Sequence, residues 1–134
     1  RRALLAGATG HAATLSLGAM LLLATGPGHA QTGANKVQNT RYVVFHRPGP
    51  AWLPDKGMFE QPGVRAHVAH YRQWLEAGKL DMGGPHLDAA GGGMMISVAG
   101  LSEDEVRRFA SEDPAVKDGT LSFELRPWLV GMRK

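Results

Sequence analysis

Apolar residues recur along this chain at two spacings, and the change from one to the other marks out its elements. Arg41-Tyr42-Val43-Val44-Phe45-His46 is rich in β-branched and aromatic residues and predicts a first strand. Between Pro62-Gly63 and Gly78 the period lengthens to that of a helix. Val64, Val68, Tyr71 and Leu75 fall on one stripe there, His67 and Trp74 border it, and Arg65, Arg72, Gln73 and Glu76 face away. Lys79 to Gly84 reads as a second strand, and a glycine turn at 91–93 leads into a third, Met94 to Ala99. Ser102 with Glu105 predicts a capping box, and Leu101 with Val106 the hydrophobic staple around it. Phe109 and Ala110 continue that apolar face until Asp113-Pro114 stops the helix. Strict alternation returns from Thr120 to Arg126, with Leu121, Phe123 and Leu125 on one side and Ser122, Glu124 and Arg126 on the other. The order strand-helix-strand-strand-helix-strand is ferredoxin-like: α+β, with a four-stranded antiparallel sheet and two helices.

The first thirty residues carry a different pattern. Arg1-Arg2 precedes an apolar stretch from Ala12 to Ala24, and Gly26-Pro27 then leads to Gly28-His29-Ala30 with small residues at the cleavage positions. This is the layout of a secretory signal peptide, and the arginine pair fits a twin-arginine variant. The expected division is a signal peptide at 1–30, a polar linker at 31–39 and one domain at 40–134, placed in the periplasm or secreted. The stretch is too short and interrupted to span a bilayer, so no stable membrane insertion is expected after cleavage.

Charge and composition narrow the function classes. The chain has 15 basic and 12 acidic side chains, but two arginines belong to the leader, leaving the domain near neutrality. No basic stripe appears, which argues against a nucleic-acid partner. With no cysteine, disulfides and thiolate chemistry are excluded. No nucleophile elbow and no phosphate-binding glycine motif is present.

What remains is a set of histidines and aspartates gathered by topology. In a right-handed split strand-helix-strand unit, the end of strand one, the start of helix one, the end of strand two and the end of helix two share one rim. His46, His67, His86, Asp88 and Asp113 are all placed there by this argument. Each also has a plain structural reading: Asp113 as a turn former before proline, His86 and Asp88 as loop residues, His67 as a satisfied core histidine. On the functional reading, His67 is a general acid or base tuned by a carboxylate. The substrate pocket around it is expected to take in His46, Trp52, Phe59, Trp74, His86 and Asp88. His46, His67, His86 and Asp88 include metal-ligand types but lack diagnostic spacing, so neither a metal nor any other cofactor is expected.

His67-Val68-Ala69, Leu75 with Gly78-Lys79-Leu80, Gly84-Pro85, the helix from Ser102 to Phe109, Asp113-Pro114-Ala115-Val116 and the closing Glu124-Leu125-Arg126-Pro127-Trp128 together resemble the YciI-like (YCII-related) family. The resemblance spans roughly Arg41 to Trp128 and implies the dimeric α+β barrel version of the fold, hence a homodimer. It implies a histidine–aspartate active pair, carried here by His67 and Asp113, with Asp88 the alternative aspartate. One branch of the family is associated with dehydrochlorination of hydroxylated aromatics. The expectation is a small cofactor-independent enzyme moving a proton on a small organic molecule, in a lyase or isomerase step. The competing expectation is a non-catalytic ligand-binding or assembly domain.

Overall fold

The computed structural model describes residues 39–134; the expected leader and nearly all of the linker lie outside the described residues. The elements are β1 (Thr40–Pro48), a single 3-10 turn (Met58–Glu60), α1 (Val64–Glu76), β2 (Leu80–Pro85), β3 (Gly93–Ser97), α2 (Glu103–Glu112), α3 (Pro114–Lys117) and β4 (Leu121–Leu129). The sheet order is β2-β3-β1-β4 and every neighbouring pair is antiparallel. This is the expected α+β, ferredoxin-like arrangement, with the short α3 added to the two expected helices. The register aligns His46 with Gly93 and Pro85 with the same Gly93, so the ends of β1 and β2 meet at one edge.

Alternation along the strands sends Val44, Met95, Phe123 and Leu125 to the face covered by the helices. There they join Trp74 of α1 with Val106 and Ala110 of α2 in the core. Trp74 and Phe109 stack at 3.9 Å between ring centroids, which ties α1 to α2. That stack decides how α1 is turned. Its buried residues are Val64, His67, Tyr71 and Trp74, while Val68 and Leu75, expected in the apolar stripe, are exposed at 44% and 56%. His70, one turn before Trp74, also stacks on Phe109 and bonds its carbonyl at 2.8 Å.

Local chemistry sets the element ends. Ser102 caps α2 by accepting from Glu105 N, but the Glu105 carboxylate takes a bond from Lys79 Nζ at 2.6 Å, so the expected capping box is only half formed. Ser97 at the end of β3 is buried, and its Oγ accepts from Tyr42 N. β4 runs on through Pro127, which the sheet tolerates because β4 is an edge strand. Gly63, at the start of α1, has φ of 81°, and a Cβ there would lie 2.7 Å from Asp118 Oδ2. Only glycine brings the chain this close to the segment after α3 and then starts the helix.

Candidate active site

α1 delivers His67 in its first turn, and the end of α2 delivers Asp113. Pro114 occupies the first position of α3, where its missing N–H costs nothing. Asp113 is the N-cap of that short helix. Its Oδ1 accepts from Ala115 N at 3.0 Å, and its Oδ2 lies 2.5 Å from His67 Nδ1. Asp113 is fully buried. Burial alone would push its carboxyl up, but the hydrogen bond and charge of His67, with the Ala115 N–H, hold it below the usual carboxylate value. An ionised carboxylate at Nδ1 fixes the imidazole with its proton on that nitrogen, leaving Nε2 as the basic atom. Nε2 makes no hydrogen bond, yet it is not sealed off: among the described residues the only buried side-chain polar atom without a partner is His46 Nδ1.

His46 stands beside the pair, its ring 4.8 Å from that of His67. Its Nε2 shares a 3.0 Å hydrogen bond with the Tyr71 hydroxyl. Burial, helped by His67 and His70, pushes the His46 pKa down to about 4, against a weaker upward pull from Asp113 and the Ser122 backbone. Burial and then the Asp113 charge push the Tyr71 phenol up. At neutral pH the group is therefore a neutral His46, a protonated Tyr71 and an ionised Asp113.

His46, His67 and Tyr71 border a cavity of about 310 Å³ between α1 and the β2–β3 wing of the sheet. His46, Trp52, Phe59, His67 and Tyr71 all line it, with Val68 and Leu75 from the exposed flank of α1. The floor is made by backbone at Gly83, Gly84, Gly92 and Gly93. Gly92 has φ of 78°, and a Cβ there would collide with the His46 carbonyl, so the turn can sit against β1 only as glycine. Three residues expected around the pocket lie elsewhere. Trp74 is in the core, drawn there by its stack on Phe109. His86 and Asp88 belong to the turn beyond β2, outside the cavity wall; Asp88 is exposed and its Oδ1 accepts from Ala90 N. Of the two candidate aspartates, Asp113 is the one in contact with His67.

Two residues of the site carried no chemical signal in the sequence. Tyr71 reads as one more apolar position at helical spacing. Arg72 was expected to face away, yet it lines the cavity because α1 is turned by its packing on α2. His46, His67 and Asp113 also bring potential ligand atoms within 4.8 Å of one another. A tetrahedral metal with bonds of about 2.0 Å keeps its ligands about 3.3 Å apart. The direct contact between His67 and Asp113 is shorter than that and holds a proton, so an ion would have to part the pair.

Comparison with curated proteins finds no match. Among solved structures, the chain is similar to 5-chloro-2-hydroxyhydroquinone dehydrochlorinase (TftG) from Burkholderia phenoliruptrix AC1100, in complex with 2,5-dihydroxybenzoquinone. Identity is 26% and the TM-score 0.52, over 68% of this chain and 95% of that one. Residues 40–129 match the family model described as the YCII-related domain. With most of its length covered by that match, the chain belongs to the YCII-related family, within the YciI-like dimeric α+β barrel superfamily.

Proposed function

We propose that this protein is a small cofactor-independent enzyme that moves a proton on a small organic molecule, with His67 as general acid or base and Asp113 as its orienting partner. One observation carries the reading: His67 Nδ1 is pinned by an ionised, buried carboxylate, while Nε2 opens on a largely apolar cavity. In such a site Nε2 takes a proton from a hydroxyl or an activated C–H. The electron pair left behind expels a leaving group or relocates a double bond, a lyase or isomerase step. His46 and Tyr71 supply neutral hydrogen-bonding groups at the same wall, and Trp52 and Phe59 shield it from water. The similar dehydrochlorinase supports a hydroxylated ring as the substrate class. We place this activity outside the cytoplasm on the strength of the leader. We also infer a homodimer, from the family's fold.

The test is turnover of chlorinated hydroxyquinols, followed by chloride release and quinone absorbance. His67→Gln is expected to lower kcat roughly 10²-fold or more, with a stability loss of no more than about 1–3 kcal/mol, from the lost bond to Asp113. Retained turnover in that variant would remove His67 from the chemistry. A large loss of stability would mark it as a structural histidine.

A further inference from the structure

Arg72 is the only permanently charged residue in the cavity wall, and no acidic side chain lines that wall. Five other cations among the described residues are held in ion pairs, Arg41 with Asp81, Arg47 and Arg126 with Glu124, Lys79 with Glu105 and Arg107 with Glu103, and none of these lines the cavity. Arg72 makes no ion pair among the described residues, although Glu76 follows it at the i,i+4 position where such pairs form on a helix. Arg72 is exposed to solvent and also lines the pocket, so its charge lies against low-dielectric walls, which focus its field on whatever enters.

The surroundings of His67 have the opposite sign. The ionised Asp113 sits behind His67, so negative charge on a ligand is disfavoured near the reacting end. His67 and Arg72 are five residues apart on α1, about 7.5 Å along the axis at 1.5 Å per residue. They also lie about 140° apart around the helix, yet both line the one cavity, whose volume of about 310 Å³ suits a single substituted ring.

We propose that Arg72 is the anion-binding residue of this site, and that the ligand is a one-ring organic acid with its acidic group at Arg72 and its reactive hydroxyl or C–H at His67. The guanidinium fork suits a carboxylate or an acidic enol, which it can bind through two parallel hydrogen bonds. This inference rests on the proton-transfer reading for which end of the ligand reacts, but the anion site itself is tested by binding without turnover.

The probes are 4-hydroxybenzoate and its neutral analogue 4-hydroxybenzamide, titrated by calorimetry into the full chain. The wild type is expected to bind the carboxylate at least tenfold more tightly than the amide. Arg72→Gln is expected to abolish that preference while leaving the amide affinity within twofold. Arg65→Gln, on the same helix but outside the cavity wall, is expected to keep it. Equal affinities in the wild type, no binding of either probe, or a preference that survives in Arg72→Gln would each overturn the proposal. A preference lost in Arg72→Gln, combined with full turnover in His67→Gln, would leave the anion site standing and remove the proton-transfer reading instead.

Discussion

At Asp113 a single carboxylate serves two neighbours, the Ala115 N–H that opens α3 and the His67 ring. The two duties separate by substitution. Asp113→Asn keeps an oxygen for the cap, but its amide then donates to Nδ1 and moves the imidazole proton to Nε2, where the base is needed. Activity is expected to fall roughly 10²- to 10⁴-fold while stability changes little. Asp113→Ala loses the cap, about 1 kcal/mol, and leaves His67 Nδ1 unpaired at a further 1–3 kcal/mol or so; chemical denaturation of the two variants distinguishes them. His46 makes a pH prediction. Its pKa is lowered from 6.5 to about 4, so as pH falls the unfolded chain takes up the proton first. Stability is then lost progressively from about pH 6.5 down to about pH 4, by about 3 kcal/mol in all. Asp113, whose folded pKa lies below 3.8, adds its own loss only at still lower pH. His46→Gln is expected to flatten the slope of melting temperature between pH 7 and pH 4, and an unchanged slope would contradict the burial argument. The candidates His46, His67 and Asp113 were legible because topology alone gathers them at one edge. Tyr71 was not, since a tyrosine at core spacing shows its role only once its hydroxyl is seen to meet His46.

Elements were legible wherever the pattern was local, as in the alternation of β4 and the Ser102 cap of α2. They were misread where tertiary contacts choose among local options. Hydrophobic spacing put Val68 and Leu75 on the core side of α1. Stacking of Trp74 on Phe109 turns the helix and gives those two side chains to the cavity instead. Trp52 and Phe59, expected at the pocket, line it from the long segment between β1 and α1, but the fastening of that segment was not legible. Buried Gln61 holds it: Nε2 donates to the carbonyls of Leu53 and Lys56, and Oε1 accepts from Leu53 N. Gln61→Ala is expected to free the loop that carries Trp52. The outcome is a stability loss of about 1–3 kcal/mol and weaker ligand binding, read together by denaturation and calorimetry. A variant with unaltered affinity would show that Trp52 is placed by its own contacts.

Taken as a whole, the molecule covers one face of its sheet with helices and turns Phe45, Met94, Arg47, Glu124 and Arg126 to the other. Arg47 and Arg126 both reach Glu124, and Arg126 lies over the Phe45 ring at 6.0 Å. A second copy docked there would meet a mixed apolar and charged surface. Light scattering is expected to give twice the mass of one chain, and Phe45→Glu to halve it; a wild-type monomer would contradict the dimer. The double duty of Asp113 also bears on how such a protein would decay. The aspartate is held by the folding of α3 whether or not any reaction takes place, whereas His67 owes its place to the carboxylate and the cavity. Under relaxed selection the histidine would be replaced first and the aspartate would linger. Among descendants of this chain, the aspartate alone would be a relic of architecture, and only the histidine beside it would mark a working enzyme.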